Sequence, residues 1–502
     1  MSVELPHPPD NARPTLGALN QASAPYLEAL IRYVGVPRAA FHTPGHIQGK
    51  GAHPALIEAM GAAVLSMDIS PGLGNMEGFP GCALDQAQAL AADAYGADRS
   101  WFLVNGSTAG NQIMVTSVCH PGDLVLTSRN THKSIISAFI VGGVRPVYIP
   151  AELDPRSHIA HGVTAERVDE ALERNPGVRA VLIVSPTYYG ACSDVAGIAE
   201  ACHRRGVPLL VDEAWGPHFP FHDELPAHAL SLGADMVVTG AHKLLGAFLQ
   251  ASMVHSRGPL VNADRVEVVA KMLQSTSPSC LLRASLDAAR MQMATEGESL
   301  LTEAIAIAEE ARERINEHPR LSCIDKRLVG SYGVTALDPT RLSVNVSGTG
   351  HTGYETDRML FDNFDVTVEL ADFANVLANV TIGHSRADLR KFTDALWAIA
   401  DVPGHRLDPV GFVEQALYEM PQQVMSPGEA FHAPQELVPL EAAAGRVSAE
   451  MAATYPPGIP VLVPGELLTP ALVDHLAAQV AAGGRIVGPQ DPRLERIQVV
   501  CQ

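Results

Sequence analysis

Six lysines stand in the 502-residue chain, Lys50, Lys133, Lys243, Lys271, Lys326 and Lys391, against 29 arginines, so an amine suited to a Schiff base has few candidates. Lys243 lies in Thr239-Gly-Ala-His-Lys-Leu-Leu-Gly246, just past an apolar run of strand length. Apolar neighbours lower the pKa of an amine, which makes it a nucleophile. By itself such a lysine is weak evidence, since a lysine in this position is more often a surface charge. Asp212 closes the apolar run Pro208-Leu-Leu-Val-Asp212. A carboxylate there can keep a pyridine nitrogen protonated, or can simply cap the following turn. Asn105-Gly-Ser-Thr-Ala-Gly-Asn111 follows another apolar run and opens a helix. Its small residues and free N–H groups suit a phosphate, with Ser107 and Thr108 adding hydroxyl donors, although a plain helix cap reads the same way. His132, in Ser128-Arg-Asn-Thr-His-Lys-Ser134, can stack on a flat ring or serve the fold alone. The four features in this order point to a phosphorylated ring cofactor more strongly than any one of them.

The elements that must carry these residues alternate. Strand-length apolar runs occupy Trp101–Val104, Leu124–Thr127, Pro146–Ile149, Ala180–Ser185, Pro208–Asp212 and Asp235–Thr239, with helical patterns such as Thr164–Arg174 and Val195–Arg205 between them. Continuous apolar strands separated by helices predict an α/β domain with a mostly parallel sheet buried on both faces, whose carboxyl-end loops bind ligands. A helix is expected at Tyr26–Val34 and a long one around 295–318. Strands are expected at Ser343–Val346, Val366–Leu370 and Val380–Ile382, and a helix at 386–400. Residues 1–40 then form an arm and helix, 41–295 the large domain, 296–404 a smaller α+β domain and 405–502 a C-terminal domain. The 401–408 segment, with Pro403 and Gly404, marks the last boundary.

A formal charge of −20 argues against nucleic-acid binding. It is compatible with attraction of a cationic substrate, or with solubility alone. The seven cysteines form no Cys-x-x-Cys pair or zinc-type cluster, so neither a disulfide framework nor a metal site is expected. Met1–Pro14 contains no apolar signal segment, and no apolar run approaches the roughly 20 residues a membrane span needs. A cytoplasmic enzyme is the expectation.

At these same residues the chain resembles the ornithine/lysine/arginine decarboxylases of the aspartate-aminotransferase fold. The resemblance runs through Phe41-His-Thr-Pro-Gly-His46, Phe102–Asn111, Arg129–Ser134, Ser185-Pro-Thr-Tyr-Tyr-Gly190, Val211-Asp-Glu-Ala-Trp215, His242-Lys243 and Ser275-Thr-Ser-Pro-Ser279. It continues into Tyr455-Pro-Pro-Gly-Ile-Pro460 and Pro464-Gly-Glu466, covering most of 40–490. The chain looks like a short form without the N-terminal wing domain. The resemblance implies pyridoxal 5'-phosphate on Lys243, with Asp212 at the pyridine nitrogen. Ala214 and His132 would take opposite ring faces, and Ser107, Thr108, Ala109 and His242 would surround the phosphate. It also implies that Ser275 or Thr276 reaches a neighbouring subunit's site in a homodimer or higher even oligomer. Glu369 would meet the distal cation of the substrate.

Four departures accompany the resemblance. Gly240-Ala241 replaces a pair of polar residues before His242-Lys243, and the 68–77 segment lacks acidic residues common there. Trp215 takes the place of the histidine of short forms, beside the substrate, and Cys280 that of an aromatic. The expected reaction is decarboxylation of lysine, ornithine or arginine, with Lys243 or His242 returning a proton to Cα. Transamination, elimination or oxidative deamination on the same cofactor is the second reading, and a silent cofactor-binding protein the third.

Overall fold

The computed structural model describes residues 19–402, 404–405, 420–454, 458–481 and 483–501. The Met1–Pro14 stretch, part of the 401–408 boundary and Tyr455-Pro-Pro457 lie outside the described residues.

The six expected apolar runs are strands, and a seventh joins them: β1 (Arg99–Leu103), β2 (Leu124–Ser128), β3 (Arg145–Ile149), β4 (Val178–Val184), β5 (Leu209–Glu213), β6 (Met236–Thr239) and β7 (Ser252–Ser256). They form one sheet in the order β1-β7-β6-β5-β4-β2-β3. Pairing is parallel from β3 across to β6, and β7 runs antiparallel to both β6 and β1. Helices cover both faces, which is why the central strands β4, β5 and β6 are mostly apolar: Leu210 and Val238 belong to one buried cluster, Ile183 and Val211 to another. Each such side chain contributes about 1.5–3 kcal/mol when fully buried. Helix Gly106–Val118 lies especially close to the sheet, since a Cβ on Gly110 would stand 2.3 Å from a methyl of Val238.

The first described helix is Pro25–Val34, as expected. The long helix spans Cys280–Asn316, starting well before 295. Ser279 caps it by accepting from the amide of Leu282, a signal the sequence pattern left unread. Residue 295 therefore sits inside this helix, whose first half packs on the large domain and whose second half packs on the small one.

The small domain is a four-stranded antiparallel sheet in the order Ser322–Cys323, Arg341–Asn345, Asn375–Asn379, Leu370–Ala371, backed by helices Gly353–Phe364 and Arg386–Asp401. Two expectations are corrected here. The strand predicted at Val366–Leu370 is only Leu370–Ala371, because Asp365 ends the preceding helix with a left-handed φ of 51° and Val366 still bonds back to Leu360. The strand predicted at Val380–Ile382 lies earlier, at Asn375–Asn379, where pairing with Arg341–Asn345 runs the full length. The C-terminal part folds around its own core, including Leu440, Leu462, Leu476 and Ile497. Its strands Gln435–Pro439 and Arg496–Val500 pair antiparallel. Among the described residues no helix is long and apolar enough to cross a membrane.

Candidate active site

The carboxyl ends of β1, β5 and β6, with the loop after β2, converge on a cavity of about 570 Å³. Its walls include Ser107, Thr108, His132, Asp212, Ala214, Trp215, His242, Lys243 and Glu369. Residues drawn from five separate stretches of sequence thus meet at one place, four of them at the sheet's carboxyl end, as an open α/β sheet dictates, and Glu369 from the small domain.

Asp212, next to last in β5, is buried at the cavity floor. Asn111 donates to its Oδ2 at 2.7 Å and the amide of Ala214 to its Oδ1 at 3.1 Å. Burial raises its pKa, and the positive charge of Lys243 pulls it back. Among the described residues no basic side chain forms an ion pair with Asp212, so the carboxylate is fixed in aim and still able to take a cationic partner. Asn111 also donates to Ser134 at 2.8 Å, tying this acid to the His132 loop.

Helix Gly106–Val118 points its N-terminus into the cavity. Asn105 precedes it without a side-chain cap. The Gly106 amide donates to the carbonyl of Gln250 at 2.8 Å and the Ala109 amide to that of Asn105, so the Ser107 and Thr108 amides between them are the ones suited to an anion. Ser107 and Thr108 line the wall, and the Ser107 hydroxyl lies 3.3 Å from that of Ser252 on β7. Ala109 is fully buried behind them and is not part of the wall.

His132 caps helix Lys133–Gly142, its Nδ1 accepting from the Ser134 amide at 3.3 Å and lying 2.7 Å from the Ser134 hydroxyl. The neutral ring therefore carries its proton on Nε2. Burial, with help from the charges of Lys243 and Lys133, holds its pKa down at about 3. His242 is held likewise: its Nδ1 donates to the carbonyl of Ala251 at 2.8 Å, and burial lowers its pKa.

Lys243 is half-buried in the cavity wall, and its pKa falls to about 8 because that wall removes water, an effect only partly offset by Asp212. Its Nζ sits 3.8 Å from the ring centroid of Trp215, while the guanidinium of Arg341 lies 4.1 Å from the same ring. Arg341 is fully buried, donates to the carbonyl of Tyr188 and to Asn379, and its own pKa is lowered to about 10 by burial. Asn379 in turn donates to Glu369 at 2.9 Å. Glu369 stands at the rim, its pKa raised by partial desolvation against the pull of Arg341 and Lys243.

The absence of a hydroxyl at Gly240 has a steric reason. A Cβ there would approach the carbonyl of Ala214 to 2.7 Å and the Ser107 oxygen to 3.2 Å. Ser275 and Thr276 are exposed and lie away from this cavity, beside a second one of about 960 Å³. The altered segment ends in Glu77, which pairs with Arg283 and accepts from Tyr26 at 2.9 Å.

Asn111, Tyr188, Arg341 and Asn379 were not picked out by the sequence reading. Asn111 and Tyr188 fall inside motifs already quoted, but Arg341 and Asn379 lie in ordinary strand patterns of the small domain, and only the fold brings them to the cavity.

The donor set fits a flat, phosphorylated, cationic ring. It offers a helix N-terminus with two hydroxyls, an unpaired carboxylate at the floor, a neutral imidazole on one wall and a desolvated amine.

The fold is that of the aspartate-aminotransferase class of pyridoxal-phosphate enzymes. The Francisella novicida lysine decarboxylase LdcF superposes with a TM-score of 0.81 at 22% identity, over 95% of this chain and 81% of that one. A Sphingomonas wittichii serine palmitoyltransferase superposes with a TM-score of 0.53 at 14% identity, over 72% of this chain and 86% of that one. Within that class, residues 24–388 match the major domain of the Orn/Lys/Arg decarboxylases and residues 411–488 their C-terminal domain. The chain belongs to the Orn/Lys/Arg decarboxylase family. The Bacillus subtilis arginine decarboxylase is 38% identical over 96% of this chain and 99% of its own length. The Pseudomonas aeruginosa lysine decarboxylase LdcA is 26% identical over 90% of this chain and 75% of its own.

Proposed function

We propose that this protein decarboxylates a basic amino acid, arginine before lysine or ornithine, with pyridoxal phosphate held at Lys243. The observation that carries the proposal is one cavity lined by a desolvated lysine, a carboxylate that no basic side chain among the described residues pairs with and, at the rim, the carboxylate of Glu369. Near full-length similarity to an arginine decarboxylase favours arginine.

Lys243, Asp212 and His132 would hold the ring, and the Gly106–Val118 N-terminus with Ser107 and Thr108 the phosphate. When bound, the cofactor supplies an electron-accepting ring that stabilises the charge left at Cα by departing carbon dioxide. The residues do the rest. Asp212 keeps a proton on the ring nitrogen. His132, neutral and immobilised by Ser134, packs flat without adding a charge. Trp215, braced by Arg341, limits where the substrate lies, and orientation decides which Cα bond breaks. Glu369 meets the distal cation, whose desolvation would otherwise be costly. His242 has committed its proton to Ala251, so we assign return of the proton to Cα to Lys243.

The proposed division of labour follows the sequence segments: 41–295 for the cofactor, 296–404 for Glu369, and 405–502 as a support. Ser275 and Thr276 are proposed to complete a partner's site in a homodimer. Their exposure and the exposed apolar side chains of Phe248, Leu249, Val268 and Met272 support a covering second copy. A cytoplasmic location is also proposed. Another reaction on this cofactor has no specific observation in its favour.

The test is a product screen by mass spectrometry with arginine, lysine, ornithine, and acidic and neutral controls. Stoichiometric carbon dioxide with agmatine, cadaverine or putrescine is expected. Products lacking carbon dioxide release would refute decarboxylation.

A further inference from the structure

His132 sits on the loop after β2, and that loop is gripped from outside its own domain. Arg129 begins it, buried to 4% side-chain exposure, and faces Glu466 of the C-terminal part, buried to 1%. The guanidinium donates to both carboxylate oxygens, at 3.2 and 3.0 Å. It also donates to the carbonyls of Pro460 at 2.6 Å and Val461 at 3.1 Å. Glu466 is itself fixed by the amide of Val463 at 2.7 Å. One residue beyond His132, the Lys133 amide donates to the carbonyl of Gly458 at 3.0 Å. His132 is thus bracketed three residues before and one residue after by bonds into 458–466. The fork geometry fixes direction as well as distance, which a point charge does not.

We infer that Arg129 and Glu466 are positioning residues that set the orientation of His132, so that the C-terminal domain helps to shape the active-site cavity. The inference rests on the reading of that cavity as the pyridoxal-phosphate site. A buried bidentate pair resists displacement, because separating it leaves two uncompensated charges in the interior. The loop that carries His132 cannot then withdraw without the 458–466 segment moving too.

The test compares Glu466→Gln in two backgrounds, wild type and His132→Ala, using the holoenzyme. Readouts are kcat, KM and the visible circular dichroism of the bound cofactor, which reports ring orientation. In the wild-type background kcat is expected to fall about 10- to 100-fold, with KM changed less than about threefold and the visible dichroism altered. In the His132→Ala background Glu466→Gln is expected to change kcat by less than about twofold, because the group it acts through is gone. Equal losses in both backgrounds overturn the inference, as does a folded Glu466→Gln with unaltered kcat and dichroism. If far-ultraviolet dichroism shows that Glu466→Gln does not fold, Glu466→Asp, which keeps the charge and shortens the reach, decides by the same comparison. Wild type and Lys243→Ala are run alongside. A wild type without a visible cofactor band refutes the cofactor reading itself. A normal wild-type band with equal losses in both backgrounds refutes only the positioning role.

Discussion

Desolvation of Lys243 bears on how the apoprotein would capture the proposed cofactor. An amine of pKa 10.5 is neutral to about 0.03% at pH 7, whereas the pKa of about 8 at Lys243 gives about 9%, roughly a 300-fold gain in nucleophile. The rate of cofactor attachment to apoprotein, followed by visible absorbance in a stopped-flow instrument and divided by the rate with a simple alkylamine to cancel the cofactor's own titration, is expected to level off near pH 8. Asp212→Asn removes the charge that raises the lysine pKa, so the break is expected to move below 8. Thermodynamics gives a second reading of the same group. Its pKa is lowered by folding, so between about 8 and 10.5 the unfolded chain binds the extra proton, and stability rises with pH through that window. The full shift corresponds to about 3 kcal/mol, to be read as the difference between wild-type and Lys243→Met apoproteins in urea melts at pH 8 and 10.5. A relative attachment rate that keeps climbing to pH 10, or no pH-dependent difference between the two apoproteins, would refute a desolvated Lys243.

Four further outcomes are expected. Asp212→Ala is expected to fold but to lose at least about 100-fold in kcat, because the ring nitrogen loses the group that keeps it protonated; a loss of only a few-fold would leave Asp212 as a turn cap. Glu369→Gln is expected to raise KM for the basic substrate by about 30-fold or more, and that for an uncharged isostere far less; equal effects would make Glu369 structural. Hybrid dimers of Lys243→Ala with a Ser275→Ala/Thr276→Ala double variant are expected to regain activity, since one hybrid site carries neither defect, and verified hybrids without activity would place each site within a single subunit. Gly240→Ser is expected to weaken cofactor affinity and lower the melting temperature, because its Cβ would press on Ala214; a variant binding at least as tightly as wild type would show that the missing hydroxyl, and not the close packing, is what matters at this position.

The residues proposed to hold the cofactor were legible in the sequence, and the reason is local. Asp212, His132, Lys243 and Ser107 each follow a continuous apolar run, and a parallel sheet exposes the residues at its strand ends. The seventh strand was not legible. Ser252-Met-Val-His-Ser256 reads as polar, yet every residue of it is buried. Its polarity is satisfied at long range: His255 lies 2.7 Å from the Ser100 hydroxyl and 3.0 Å from that of Thr239. Arg341 was illegible for a related reason. It comes almost a hundred residues after Lys243, and only packing against Trp215 and the Tyr188 carbonyl gives it a place in the site. The start of the long helix was missed because its cap, Ser279, sits in a serine-rich turn with no contrast to mark it.

That helix, Cys280–Asn316, has 37 residues and so extends about 55 Å. It is a lever rooted beside the cofactor domain and ending under the sheet that leads to Glu369. A tilt of only about one degree at its root would carry its far end through about 1 Å, a displacement large enough to alter catalysis. Substitutions along its buried face, at Leu301 or Ala304 for instance, touch no ligand. They nevertheless lie along this lever, between its root and its far end, where a change in packing can alter its tilt.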